Sequence, residues 1–249
     1  MDDRGEKCMR HTAAFFDIDG TLHRDSLMME HFKRLIRYEI IDPHYWYSHA
    51  QKAFQNWDKR MGNYEDYLLE VAEIYLNSMK GQNKHYIDFI VHQVVDTKGD
   101  RVYRFTRDRI YWHKEQGHKV IFISGSPDYL VEKMAEKYNV DDFKATEYLV
   151  DEDHNFTGEI KRMWDATSKS VALEELVAKH HIDLNRSYAY GDTKGDLAML
   201  KAVKHPVAIN PARELLMEIK KDPMLLSRTL LIIERKDVIY QLDPNVAIL

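Results

Sequence analysis

Four short, largely apolar runs constrain the fold of this chain more than any other feature. They are Ala13-Ala14-Phe15-Phe16, Val120-Ile121-Phe122-Ile123, Ser187-Tyr188-Ala189-Tyr190 and Pro206-Val207-Ala208-Ile209. A continuous apolar run has the character of a strand buried on both faces, as in a parallel sheet. Helical patterns separate the later runs, and strands alternating with helices predict a parallel sheet whose carboxyl ends share one edge. Each run closes on small or polar residues: Asp17-Ile18-Asp19-Gly20-Thr21, Ser124-Gly125-Ser126, Gly191-Asp192-Thr193-Lys194-Gly195-Asp196, and Asn210. Ligands of open α/β sheets sit beyond such ends.

Between the first two runs, from about Ser26 to Lys114, the sequence reads as helix after helix. Leu27, Met28, Phe32, Leu35, Ile36 and Ile40 recur at steps of three and four. Pro43 opens a second helix over His44 to Arg60, and Met61-Gly62-Asn63 reads as a turn. Further helices are expected over Tyr64 to Met79, Lys84 to Val95 and Arg101 to Glu115. After the second run, a helix begins near Asp128. Glu147 to Val150 and Phe156 to Ile160 read as a hairpin. In its tip, Asp151, Asp153 and Asn155 alternate like the start of a calcium loop. The glycine and distal glutamate such a loop needs do not follow, so a solvated turn is expected. Ser170 to Lys179 is amphipathic, with Lys169 at its start. Leu230 to Ile233 is one more apolar run, and Glu234 to Leu249 carries no functional signal.

The chain of 249 residues suffices for one sizeable core plus a smaller domain. A net charge of -5 gives no support to a nucleic-acid or anionic-membrane partner. Cys8 stands alone, which excludes an intrachain disulfide and fits a reducing compartment. Met1 to His11 lack an apolar signal-peptide core, and no apolar stretch approaches the ~20 residues that span a bilayer. A cytoplasmic protein without a membrane partner is the expectation. The 13 histidines are scattered, without paired zinc-site spacing.

The shared sheet edge would gather Asp17, Asp19, Ser124, Gly125, Asp192, Asp196 and Asn210, with Lys169 joining from a helix start. Acids on two strands, a hydroxyl and one cation form the constellation expected for phosphoryl transfer. A phosphate monoester is a dianion and repels a carboxylate nucleophile. A hard cation such as Mg2+ removes that repulsion, with Asp17 and Asp192 as natural ligands. Ser124, N–H groups near Gly125 and Lys169 would stabilise the equatorial oxygens. Asp17 can attack phosphorus, and Asp19 can protonate the leaving alcohol and later activate water. Those roles need Asp19 raised in pKa while Asp17 stays ionised. Thr21 and Asn210 complete the candidate phosphate-binding set.

At these residues the chain resembles the haloacid dehalogenase (HAD) superfamily of aspartate-nucleophile phosphotransferases. The matching motifs are Asp17-Ile18-Asp19-Gly20-Thr21-Leu22, the strand ending in Ser124-Gly125-Ser126, Lys169, and Gly191 to Asp196. The resemblance implies an α/β fold: a Rossmann-like parallel-sheet core, residues 1–25 and 96–249, with an inserted all-helical cap, residues 26–95. It is closest to the phosphoserine-phosphatase-like branch, with Thr157-Gly158 closing the hairpin. The resemblance implies Mg2+ held by Asp17, the backbone carbonyl of Asp19 and Asp192, with Asp196 assisting, and Ser124 and Lys169 on the phosphate. Asp19 argues against dehalogenases and ion-pumping ATPases. Phosphoserine phosphatases bind the amine and carboxylate of serine with an acid after the first motif and an arginine in the cap. Here Ser26 stands near the first position and Leu69 to Ala72 near the second; Glu30 or Arg60 are the available substitutes. A small soluble phosphomonoester other than phosphoserine is therefore the expected substrate, with transfer to a non-water acceptor as the alternative. A phosphate-storing receiver lacks a cap and would be defeated by a base beside its nucleophile. A silent binding module would not need four intact motifs.

Overall fold

The computed structural model describes residues 10–248 except 60, 62 and 63. Cys8, Arg60 and most of the expected Met61-Gly62-Asn63 turn lie outside the described residues. The chain begins with β1 (Ala13–Phe16) and then forms α1 (Leu27–Arg37), α2 (Gln51–Asp58), α3 (Tyr64–Met79), α4 (Lys84–Lys98) and α5 (Arg104–Glu115). A π-helical turn, Trp46–Ala50, leads into α2. There follow β2 (Lys119–Pro127), α6 (Asp128–Tyr138), β3 (Asp142–Val150), β4 (Phe156–Lys161) and α7 (Ala166–Lys179). The last part holds β5 (Tyr188–Gly191), α8 (Leu197–Ala202), β6 (His205–Ile209), α9 (Arg213–Lys221), α10 (Pro223–Leu226), β7 (Leu230–Arg235) and β8 (Val238–Leu242).

These strands form one sheet in the order β4-β3-β2-β1-β5-β6-β7-β8. The neighbours from β3 to β7 are parallel, and β4 and β8 close the two edges antiparallel. The fold is the expected α/β one. β1 lies at the centre, fully buried, and its residues alternate between two cores. Ala14 and Phe16 face the helices inserted between β1 and β2; Ala13 and Phe15 face the layer that includes α7, α8 and α9. Phe16 stacks on Tyr190 of β5 at 4.2 Å between ring centroids.

The inserted helices are joined to the core by buried polar contacts as well as apolar packing. Tyr75 of α3 shares hydrogen bonds with His31 of α1 at 2.6 Å and with Tyr129 of α6 at 2.7 Å. Burial pushes the His31 imidazole down to about 3, so it is a neutral partner at physiological pH. Ser26 caps α1 by accepting from the Met29 N–H.

Three elements differ from the sequence-based reading. The expected hairpin is real, but its first strand starts at Asp142 and runs parallel to β2, as part of the main sheet. Its tip is the expected turn: Asp151 Oδ1 accepts from the N–H groups of Asp153 and Asn155 at 3.0 and 2.9 Å. Helix α7 begins at Ala166, capped by Asp165, so Lys169 sits inside its first turn. The tail forms β8, and Glu234 before it has a defined structural task. Its carboxylate accepts from the N–H groups of Arg104 and Phe105, the first two residues of α5, at 2.9 and 2.8 Å. An acid at a helix N-terminus satisfies orphan donors and complements the dipole. Glu234→Ala should therefore cost about 1.5–3 kcal/mol in urea unfolding; a change below ~0.5 kcal/mol would show that the pairing is incidental.

Candidate active site

The ends of β1 and β5 and one helix bring the charged residues together. Asp17 follows β1 directly, and its N–H donates to Tyr190 O of β5 at 3.0 Å. Lys169 reaches in from α7, with Nζ 2.7 Å from Asp17 Oδ1 and 2.6 Å from Asp196 Oδ1. All three side chains are buried. Carboxylate oxygens of Asp17, Asp192 and Asp196 lie within 4.8 Å of one another. The Gly191–Asp196 loop is held by its own carboxylate: Asp196 Oδ2 accepts from the N–H groups of Asp192 and Thr193 at 3.1 and 3.0 Å. Gly20 has φ +82°, and a Cβ there would stand 2.1 Å from Asp192 Oδ2. Only glycine lets the first motif pass so close to the fourth.

Asp19 is gripped from both sides of the catalytic pocket. Its Oδ1 accepts from the N–H of Leu27, the first residue of α1, at 2.9 Å. Its Oδ2 accepts from the hydroxyls of Ser126 on β2 and, at 3.4 Å, Ser26. A pocket of about 120 Å3 brings Asp17 and Asp19 together with Ser124, Gly125 and Lys169.

This geometry can be set beside known proteins. The haloacid dehalogenase-like hydrolase family matches this chain over residues 14–201. The chain belongs to that family. It is 30% identical over 206 residues to the inhibition of morphological differentiation protein of Streptomyces azureus, covering 82% of this chain and 73% of that one. A probable phosphatase of Mycobacterium tuberculosis is 30% identical over 207 residues, covering 82% and 70%. Among solved structures, the fold is similar to a phospho-aspartyl intermediate analogue of phosphoserine phosphatase. The TM-score is 0.59 at 20% identity, over 92% of this chain and 96% of the other. This haloacid dehalogenase-like hydrolase thus has the fold of the phosphoserine phosphatase structure, and a probable phosphatase is among its relatives.

Burial dominates the electrostatics of the hydrolase's acids. It pushes Asp17 up to about 7; Lys169 pulls against this rise and Asp196 adds to it. It also raises Asp19, against the hydrogen bonds from Leu27 and Ser126. Asp192 is raised well above the usual carboxylate range by burial and then by its neighbours Asp17 and Asp196. Burial opposes the Lys169 charge too, but the attraction of Asp17 and Asp196 outweighs it. The expected contrast between a raised Asp19 and an ordinary Asp17 is thus not present. Burial lifts Asp17, Asp19 and Asp192, and the single ammonium of Lys169 does not offset it. An all-oxygen donor set with surplus negative charge is what a hard divalent cation fits.

Two candidate phosphate contacts are engaged elsewhere. The Thr21 hydroxyl is fully buried and donates to Asp192 Oδ1 at 2.8 Å, so it orients an acid. Asn210 Oδ1 accepts from the Glu234 N–H at 2.9 Å. Asn210 lines a neighbouring cavity of about 700 Å3, with Gly20 and Asp192, and not the pocket holding Ser124 and Lys169. Asp196 Oδ1 accepts from Lys169 Nζ and its Oδ2 from the N–H groups of its own loop, and it remains within the acidic cluster with Asp17 and Asp192. The sequence reading singled out no role for Ser126 or for Tyr148 and Trp164, which also line the pocket. Ser126 was legible within its motif. Trp164 lies in an aperiodic connection and left no signal.

Among the described residues, no helix is long and apolar enough to cross a membrane.

Proposed function

We propose that this hydrolase cleaves phosphate monoesters through an aspartyl phosphate on Asp17. The observation that carries this reading is the position of Lys169 Nζ, 2.7 Å from Asp17 Oδ1, in the pocket that Asp19 and Ser124 also line. A carboxylate nucleophile, an acid–base and an anion-holding cation thus face one small volume. An Asp17 oxygen bonds to phosphorus as the bond from phosphorus to the ester oxygen breaks. Asp19 gives its proton to that departing oxygen. It then takes a proton from the water that attacks the aspartyl phosphate, so the second step restores both carboxyl groups. Ser124, the N–H groups at Gly125 and Lys169 hold the equatorial oxygens.

Asp17, the backbone carbonyl of Asp19 and Asp192 are the residues that would hold Mg2+. When bound, the ion offsets the repulsion between the phosphate dianion and Asp17. The Thr21 hydroxyl holds Asp192, and Asp196 holds the Lys169 ammonium beside Asp17. Phosphoserine is not the main substrate in this reading. Ser26, an uncharged helix cap, and Leu69 and Ala72 line the pocket near the positions where an acid and an arginine would be needed.

Turnover of a phosphomonoester panel tests the reaction. A chelator should abolish activity, and added Mg2+ should restore it. In a readout independent of turnover, Mg2+ at ~100 times its Kd should stabilise the metal-free protein by about 2.7 kcal/mol. Asp192→Asn should lose most of that gain. Full activity in excess chelator, or no stabilisation by any divalent ion, would contradict the metal assignment.

A further inference from the structure

The reaction above leaves open which alcohol departs. The catalytic pocket is small, about 120 Å3, and a phosphoryl group would take the part of it beside Asp17, Ser124, Gly125 and Lys169. The rest of an ester has to lie against the remaining wall. The apolar part of that wall is Met28, Leu68, Leu69, Ala72, Tyr148 and Trp164, and Ser26, Ser126 and Thr193 are its uncharged polar members. Leu68, Leu69 and Trp164 also line an adjoining cavity of about 350 Å3, which extends to Asp165 and Lys194. The two volumes adjoin at Leu68, Leu69 and Trp164, which belong to α3 and to the connection before α7. Among the described residues of the inner pocket, the charged groups are Asp17, Asp19 and Lys169. All three already belong to the reaction, and none is spare to pair with a charge on the leaving group. A buried ammonium or carboxylate without a partner is strongly disfavoured, whereas hydrocarbon gains by leaving water.

The other neighbouring cavity does not compete. It is rich in charge, but Arg101 pairs with Asp25 at 2.8 Å and Arg24 with Glu234 at 3.4 Å. It opens on Asp192 and Asn210, away from Ser124 and Lys169. Asp19 has to reach the departing oxygen, and it lines the apolar pocket.

We propose that the preferred substrates are phosphate monoesters of apolar, uncharged alcohols, whose hydrocarbon runs from Asp19 between Leu68–Leu69 and Trp164 towards Lys194. The proposal rests on the phosphatase reading and adds the leaving-group class to it. Leu69 and Trp164 set the specificity, because they belong to both volumes.

The test is kcat/KM for n-alkyl phosphates from methyl to octyl, beside phosphoserine and glycerol phosphate, with Mg2+ present. Each methylene buried along the two volumes should raise kcat/KM about fourfold until they are full. Phosphoserine and glycerol phosphate should rank with the shortest alkyl esters. Leu69 is 51% exposed, so Leu69→Arg can be made without disturbing a core. It should lower the ratio of octyl to methyl phosphate turnover by at least ~10-fold. A flat or falling chain-length series, a preference for phosphoserine, or an unchanged ratio in Leu69→Arg would overturn the proposal while leaving the phosphatase reading intact. Failure to hydrolyse any monoester would remove both.

Discussion

Asp17→Asn should lower kcat by at least ~10^4-fold on every phosphomonoester that the wild-type enzyme hydrolyses. The amide is nearly isosteric, so the site keeps its shape while losing the nucleophile. Removing a covalent nucleophile from a preorganised site typically costs about 10^4–10^6-fold, with the residue of activity coming from binding and charge stabilisation. The fold should tolerate the change. Asp17 is buried beside Asp196 and raised to about 7, so a neutral group in its place relieves repulsion as well as breaking a contact with Lys169. The outcome is read from steady-state turnover alongside an unfolding curve. A folded Asp17→Asn protein retaining even a hundredth of wild-type kcat would refute Asp17 as the nucleophile.

Lys169→Met should damage both stability and activity. Lys169 Nζ is the ammonium between Asp17 and Asp196, at 2.7 and 2.6 Å, with all three side chains enclosed. Removing one partner from a buried ionic cluster typically costs about 3–5 kcal/mol. Protonation of Asp17 should keep the loss towards the lower end of that range. The cation would also contact the transferring phosphoryl group, and losing such a stabilising group costs about 10^2–10^3-fold in kcat. Chemical denaturation and turnover of the same preparation separate the two effects. Mg2+ should recover part of the stability but not the lost rate. Wild-type stability and rate in this variant would mean that the ion cluster is incidental.

The sheet was legible because its central strands are apolar on both faces. β1 could be read almost to the residue, and the loops after β1, β2 and β5 were recognisable from small and acidic residues at strand ends. The meeting of Asp17 and Asp192 followed from parallel topology, since such strands put their carboxyl ends on one edge, and Lys169 was placed beside them as the cation at a helix start. The parts that escaped lack that signal. β3 has several half-exposed residues, and only its far end, paired with β4, carries a hairpin pattern. β8 alternates, but it is mostly exposed and follows a charged turn. Glu234 carried no signal in the sequence, because only the tertiary fold brings it to the first N–H groups of α5. Thr21 and Asn210 were placed at the right edge, but which partner takes a side-chain hydrogen bond is decided by packing that sequence does not display. The position of Leu69 to Ala72, a stretch without an arginine, gained meaning once Leu69 and Ala72 lined the pocket.

The most direct measurement is a search for phosphate covalently held on the protein. Enzyme mixed with Mg2+ and an aryl phosphate, whose acidic leaving group departs without a proton from Asp19, is quenched in acid, digested and analysed by mass spectrometry, using wild type, Asp19→Asn and Asp17→Asn. A phosphate adduct confined to the peptide containing Asp17, enriched in Asp19→Asn and missing from Asp17→Asn, is the predicted result. Turnover without any such adduct in a rapidly quenched burst, or an adduct on another residue, would contradict it.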